Sequence, residues 1–205
     1  KRSVREGLRD VSMGEIELAS GAILEKGCVY IVPLKESLAL TSRITAIANP
    51  KSSIGRLDIF TRLITDEAAE FDRVGAGYSG PLYAEISPRA FTVVVREGSS
   101  LNQIRFRRGN PNHSDASLRR LHQQWSLVDR SEAEVNIDNG IALSVDLQKG
   151  SDEGVVGYKA RKHTDLVDID LINRYSVRGY WEPIYSEGGQ LILNPGDFHI
   201  LMSKE

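Results

Sequence analysis

The sequence predicts an all-β, or at least mainly β, fold in which short strands form a distorted barrel or clip. Short apolar or alternating segments recur along the chain with turn signals between them, which is typical of barrels and sandwiches. A single stretch, residues 118–127, has the apolar spacing of a short amphipathic helix. A segment near the end of the chain repeats one near its start, which indicates that the unit is duplicated.

The predicted strands are apolar or alternating runs that begin or end at turn residues. Residues 27–34 form an apolar run after a Lys26-Gly27 turn, and residues 37–47 continue with alternating character. Further strands are expected over residues 57–64, 81–86 and 91–95, and residues 98–106 are expected to form a turn followed by a strand. We expect the segments 81–86 and 91–95 to form a hairpin, interrupted at Ser87-Pro88-Arg89.

The helix prediction rests on spacing and on a capping signal. Leu118, Leu121 and Trp125 recur at helical spacing and define an apolar stripe. Ser114 or Asp115 precedes them and would cap the first turn.

The repeat links two segments that agree in register. Residues 193–205 parallel residues 24–36, with a glycine, an apolar run and a final Lys-Glu pair at matching places. We therefore predict a first β domain over residues 1–130 and the start of a second, truncated copy over residues 131–205. We expect the natural protein to be a longer tandem fusion.

Composition excludes several classes of partner. The chain of 205 residues is 40% hydrophobic and 26% charged with a net charge of −2, so no general affinity for nucleic acid or for an anionic membrane is expected. Its apolar runs are too short to span a bilayer, and no secretory signal is visible. Cys28 is the single cysteine and is expected to be a buried structural thiol. These features predict a cytoplasmic protein.

No metal site is predicted from the protein's own side chains. The four histidines are scattered, and none pairs with a cysteine or another histidine at ligand spacing. One type of zinc site that generates hydroxide needs a His/Cys plus Cys-x-x-Cys arrangement. Any water used in catalysis must therefore be activated without a transition metal.

The segment 50–56 has the composition of a phosphate-binding loop. Lys51 and Arg56 supply two cations, Ser52 and Ser53 supply two hydroxyls, and Gly55 loosens the backbone. Arginine forks and hydroxyl donors suit phosphate oxygens.

A second segment carries a candidate general base. The turn formed by residues 77–80 runs into an apolar strand in which Glu85 is the single carboxylate. A carboxylate flanked by apolar groups and facing a cleft can serve as a general base. Arg73 lies between the two segments and could reach the same place.

Together these residues resemble the core motifs of the dCTP deaminase branch of the trimeric dUTPase superfamily. The matching motifs are Ser52-Ser53-Ile54-Gly55-Arg56, Asp72-Arg73-Val74, and Gly77-Tyr78-Ser79-Gly80 followed by Glu85. The resemblance covers roughly residues 24–106, and the spacing from the glycine-rich turn to the glutamate separates deaminases from plain dUTPases.

The resemblance implies a dUTPase-like fold and the hydrolytic deamination of dCTP to dUTP and ammonia. Glu85 would take a proton from the attacking water and pass it to the ring nitrogen and then to the leaving amine, with Arg56 and Arg73 beside it. The residues that the resemblance implies for substrate binding are Lys51, Ser52, Ser53, Gly80 and Gln103. It also implies Mg²⁺ bound through the triphosphate. Sites in this family form between subunits, so we expect a homo-oligomer or a pseudo-trimer of tandem copies.

Departures from the family pattern leave two alternatives open. Gly75 stands where the family has an aspartate, Phe71 stands where a small residue is usual, and the connection from Arg56 to Arg73 is longer than usual. One alternative is a dUTPase or a bifunctional deaminase and diphosphatase, which Gln103 favours and Gly75 opposes. The other is a catalytically degenerate copy that binds nucleotide as a scaffold, which Phe71 and Gly75 favour.

Overall fold

The protein is described by a computed structural model for residues 2–109, 113–148 and 154–205. Its helices are α1 (Val4–Leu8), α2 (Ser52–Gly55), α3 (Asp115–Trp125) and α4 (Val177–Tyr180). Its strands are β1 (Ala22–Leu24), β2 (Tyr30–Ala39), β3 (Ile44–Pro50), β4 (Ile59–Thr65), β5 (Arg73–Val74), β6 (Ser79–Pro88), β7 (Val93–Val95), β8 (Asn102–Arg108), β9 (Val155–Ala160), β10 (Val167–Asp168), β11 (Trp181–Tyr185) and β12 (His199–Leu201). The mainly β prediction is confirmed. Within these ranges the strands form four open three-stranded sheets rather than a closed barrel.

The chain forms two compact units, each of which is described by itself. The first contains Lys1–Asn110 and Arg161–Tyr180, and the second contains Pro111–Ala160 and Trp181–Glu205. The predicted boundary at residue 130 does not coincide with the edges of these units. That the second part of the chain is a truncated copy of the first stays a prediction.

Two sheets of the first unit share one hydrophobic core. Their strand orders are β2-β6-β4 and β5-β3-β8. In both sheets alternate residues point inward, as the period of two in a strand requires. The buried residues that pack together between the sheets are Ala46, Ala48, Leu63, Val74 and Leu82.

The third sheet of this unit shows that the predicted hairpin of segments 81–86 and 91–95 is wrong. β7 pairs antiparallel with β1 and parallel with β10, and it does not pair with β6. Both edges of β6 are already occupied by β2 and β4, so no edge is open to β7. After β6 the chain instead turns into the interior, where Ala90 and Phe91 are buried.

The second unit contains a three-stranded sheet and the predicted helix. β9 lies between β11 and β12, and the backbone of β12 approaches Gly157 so closely that a Cβ there would clash with the carbonyl oxygen of Ile200. Helix α3 begins after Ser114, whose side chain accepts a hydrogen bond from the N–H of Ser117. The helix prediction is therefore confirmed, including its cap.

The other helices were not predicted because each is a single turn. α1, α2 and α4 contain four or five residues, which is too short to display a 3.6-residue period. Among the described residues, no helix is both long enough and apolar enough to cross a membrane.

The two repeated segments share a local backbone feature. Gly27 and Gly196 both have left-handed φ values, 86° and 79°, which glycine adopts without steric cost. Each is followed three residues later by the start of a strand, at Tyr30 and at His199. The match fits the proposed duplication, which remains a prediction.

Candidate active site

Glu85 lies on the central strand of its sheet. β6 pairs with β2 on one side and with β4 on the other, and the register places Ile31 and Arg62 beside Glu85. Its chain neighbours Ala84 and Ile86 are buried, and Glu85 points to the opposite face. The side chain of Glu85 is 14% exposed. The predicted general base is therefore a largely desolvated carboxylate on a rigid strand.

Arg62 on β4 holds this carboxylate. Nη2 of Arg62 donates a hydrogen bond of 2.6 Å to Oε1 of Glu85. The guanidinium carbon lies 3.7 Å from the ring centroid of Phe71 and 4.8 Å from that of Phe60, which are cation–π distances. The ion pair and the two rings form one cluster on this face of the sheet, which we call the Arg62 cluster.

Sequence reasoning did not select Arg62. The sequence does contain one indication: Arg62 is the single charged residue of β4. A charge in a half-buried strand needs a partner. The identity of that partner depends on the register between β4 and β6, and 23 positions separate the two residues. Local patterns do not contain that register.

The predicted phosphate-binding segment forms one helical turn at the surface. Ser52 and Ser53 begin α2 and are exposed, while Ile54 is buried and anchors the turn. The backbone N–H of Lys51 donates to the carbonyl oxygen of Leu101 at 2.9 Å, which ties the turn to the segment that enters β8. Two hydroxyls are thereby presented to solvent on an anchored turn.

The two predicted catalytic arginines are exposed and bonded elsewhere. Nε of Arg56 donates to the carbonyl oxygen of Ser52 at 3.3 Å, and Arg73 pairs with Glu70 at 3.2 Å. Within the described ranges, neither arginine is bonded to the predicted general base. Their catalytic roles stay predictions.

Gln103 and Arg73 share a face of the other sheet. Gln103 lies opposite Asn49, and Arg73 lies opposite Ile47. Since positions 47 and 49 are two residues apart on β3, they and their partners point to the same side. The buried residue Ala48 points to the other side. Glu85, Arg73 and Gln103 thus lie on two different sheets, and each of the three points away from the shared core.

Gly80 has a packing role that the sequence did not indicate. A Cβ at this position would lie 2.9 Å from Oη of Tyr78. That hydroxyl donates to the carbonyl oxygen of Pro81 and accepts from the N–H of Asp66, so the ring cannot easily move aside. Burial raises the pKa of the Tyr78 hydroxyl. The predicted substrate contact of Gly80 stays a prediction.

Gly75 and Phe71, two of the departures from the family pattern, differ in their surroundings. Gly75 has open space around it, because no atom lies within 4 Å of a Cβ built there. Phe71 is partly exposed, and its ring covers the guanidinium of Arg62. The aromatic residue at position 71 is therefore accounted for by the arginine that it packs against.

The part of the chain that the structure describes contains no cluster of side chains that could bind a metal ion. Among those residues, no three or more His, Cys, Asp or Glu side chains are grouped so that they could hold a metal ion. Cys28, expected to be buried, is exposed, because it lies in the loop between β1 and β2 rather than within a strand.

Two family models match the chain in succession. The model of the 2′-deoxycytidine 5′-triphosphate deaminase N-terminal domain matches residues 1–110. The model of the C-terminal domain of the same enzyme matches residues 114–205. A comparison with curated proteins gave no match.

A solved structure is similar over almost the whole chain. It is the crystal structure of 2′-deoxycytidine 5′-triphosphate deaminase from Agrobacterium tumefaciens, which is 49% identical and superimposes with a TM-score of 0.92. The match covers 98% of this chain and 60% of the other chain. The chain therefore spans about three-fifths of the length of this relative.

Proposed function

The chain belongs to the 2′-deoxycytidine 5′-triphosphate deaminase family, and from this premise we propose that the protein converts dCTP and water into dUTP and ammonia. The observation that carries the proposal is the position of Glu85. It is a largely buried carboxylate on a central strand, just after the glycine-rich turn. Such a group can move protons in a site from which most water is excluded.

In the proposed reaction Glu85 acts first as a base and then as an acid. It takes a proton from water while the water oxygen adds to C4 of the cytosine ring. That proton passes to the ring nitrogen N3 and remains there in the product. Glu85 then takes the second proton, from the hydroxyl group on C4, and gives it to the 4-amino group, which leaves as ammonia. The C4–N bond breaks, a C4=O bond forms, and the carboxylate is regenerated. The water is activated by the carboxylate alone, without zinc.

The triphosphate would bind at the α2 turn. The hydroxyls of Ser52 and Ser53 are exposed there beside Lys51 and Arg56, and these groups suit phosphate oxygens. Mg²⁺ would enter with the nucleotide and screen its phosphate charges, held by phosphate oxygens and water.

A complete site would require more than one copy of the fold. The support is that Glu85 belongs to one sheet and Arg73 and Gln103 to another, all three facing away from the core. Residues that face outward from separate sheets can converge on one ligand when copies assemble. We therefore propose a homo-oligomer, or a pseudo-trimer of tandem copies. Separately, we propose the cytoplasm as its location.

Product analysis tests this function. The purified whole protein is incubated with dCTP and Mg²⁺, and dCTP, dUTP, dUMP and pyrophosphate are resolved by chromatography while ammonia is measured in parallel. Equal amounts of dUTP and ammonia are expected. Glu85→Gln in the same protein is the matched control and should form neither product.

Two other outcomes would assign the protein differently. Accumulation of dUMP and pyrophosphate would identify a bifunctional deaminase and diphosphatase, the reading that Gln103 favours. Absence of any product, combined with a dCTP-induced rise in melting temperature, would contradict catalysis and identify a nucleotide-binding scaffold.

A further inference from the structure

We propose that Arg62 is a positioning residue that fixes the carboxylate of Glu85, and that Phe71 holds Arg62 in place. The inference rests on the proposed function, because it assigns a partner to the general base of that reaction. Arg62 lies outside the motifs identified in the sequence, so the proposal assigns a role to a residue that those motifs do not include.

The geometry leaves one carboxylate oxygen free. Arg62 and Glu85 lie directly opposite each other on antiparallel strands, and Nη2 bonds to Oε1 at 2.6 Å. Within the described residues, Oε2 receives no hydrogen bond from the protein. One oxygen is thus held by Arg62, which restricts rotation of the carboxylate, while the second can accept a proton from water.

The surroundings of Arg62 indicate that its place is set by Glu85 and by aromatic rings. Its Nε is buried and has no hydrogen-bond partner in the described structure. An arginine that served only to tie backbone segments together would normally direct Nε to a carbonyl oxygen. Here the guanidinium instead lies over Phe71 and beside Phe60, so stacking and a single ion pair define its position.

This arrangement has a specific catalytic consequence. A carboxylate free to rotate presents its lone pairs to water in many orientations, whereas one whose rotation is restricted presents fewer. Arg62 does not belong to the exposed Lys51–Arg56 turn that would bind the triphosphate. Loss of Arg62 should therefore lower kcat and leave KM almost unchanged.

The test is chemical rescue in the whole protein. Arg62→Ala removes the cation, and its kcat for dCTP should fall about 10- to 100-fold, the usual effect of misplacing a reacting group. Millimolar guanidinium chloride should restore kcat in proportion to its concentration, because the ion can occupy the space between Phe71 and Glu85. Urea, a neutral molecule of similar shape, should not. Arg43→Ala, an exposed arginine in a turn, is the matched control and should show neither effect.

Each outcome decides the question. Three results with Arg62→Ala would overturn the inference: an unchanged kcat, an increase in KM alone, or a loss of kcat that guanidinium does not repair. The proposed function would still stand in each case, provided that the wild-type protein forms dUTP. If wild-type protein forms no dUTP, the proposed function fails and the inference fails with it. If Arg62→Ala does not fold, Phe71→Leu replaces it: a reduced kcat with an unchanged KM supports the inference, and wild-type kinetics contradict it.

Discussion

Arg96 and Asp168 form a two-pronged ion pair across 72 positions of the chain. Nη1 and Nη2 of Arg96 donate to the two carboxylate oxygens of Asp168 at 2.7 and 2.6 Å. Asp170 accepts a further hydrogen bond from Ser99. These bonds secure β10 against β7 within the first unit. The segment Arg161–Tyr180 is therefore fixed to this unit by electrostatics as well as by strand pairing.

The pair predicts that stability falls in acid. The hydrogen bonds from Arg96 lower the pKa of Asp168 below its ordinary value of 3.8. The unfolded chain therefore takes up this proton at a higher pH than the folded protein does. The contribution of the pair is complete above the ordinary value and is lost as the pH falls through the folded-state pKa.

Asp168→Asn tests this expectation. The variant should have a lower midpoint of urea denaturation at neutral pH, since the guanidinium of Arg96 loses the nearer of its two carboxylate partners. Its stability should also change less than that of the wild type between about pH 5 and pH 3. Denaturation curves followed by circular dichroism at several pH values measure both. Parallel pH profiles for the two proteins would contradict the assignment.

Glu85→Gln should abolish deamination and spare nucleotide binding. The amide keeps the shape of the side chain but cannot accept the proton from water, so the rate should fall by at least about 10²-fold. Calorimetric titration with dCTP should give an affinity close to that of the wild type. Glu36→Gln changes an exposed glutamate on β2 and should retain full activity. Turnover in the Glu85 variant would remove Glu85 from the mechanism.

Arg56→Ala should weaken both binding and turnover. Arg56 is exposed at the end of α2, next to the hydroxyls proposed to bind phosphate, and a lost charged hydrogen bond costs roughly 1.5–3 kcal/mol. KM should therefore rise by about 10-fold or more, with a smaller fall in kcat. Steady-state kinetics with dCTP provide the measurement. Wild-type constants would mean that this turn is structural.

Local signals were sufficient for some parts of the molecule and not for others. Helix α3 was predictable because its apolar spacing and the Ser114 cap are both contained within a dozen residues. The segment of Ser52 and Ser53 was predicted as a loop and instead forms the single helical turn α2, which has no side-chain cap. The neighbours of β7 were not, because β10 comes from a segment more than 70 positions later, and strand partners at such distances leave no local pattern.

The candidate site divides in the same way. Glu85 could be selected from its apolar flanks and its motif, whereas Arg62 and Phe71 could not. Their contacts depend on how β4 pairs with β6 and on where the loop after β4 folds back. Phe71 looked like an obstacle in the sequence, and its role as a support for Arg62 emerges only from the three-dimensional arrangement.

Gly80→Ala should destabilise the protein without requiring any substrate contact. The added methyl group would lie 2.9 Å from the Tyr78 hydroxyl, and overpacking of this kind costs about 1–3 kcal/mol. Gly75→Ala is the matched control, because its added methyl group meets open space. The double variant Tyr78→Phe, Gly80→Ala should lose less stability than the two single changes together. Additive losses would show that the tyrosine hydroxyl is not the obstacle.

His122 should stabilise the second unit through hydrogen bonds to two backbone groups. It is 3% exposed, and its ring bridges two backbone groups beyond the end of α3. Nδ1 accepts from the N–H of Leu127 at 3.1 Å, and Nε2 donates to the carbonyl oxygen of Arg130 at 2.9 Å. His122→Phe fills a similar volume but leaves both groups unpaired, so the free energy of unfolding should fall by about 2–4 kcal/mol. Thermal and urea denaturation measure the loss.

His113→Ala, at an exposed histidine, is the matched control and should change stability by less than about 0.5 kcal/mol. Equal stabilities for the two variants would mean that water replaces both bonds of His122 without cost.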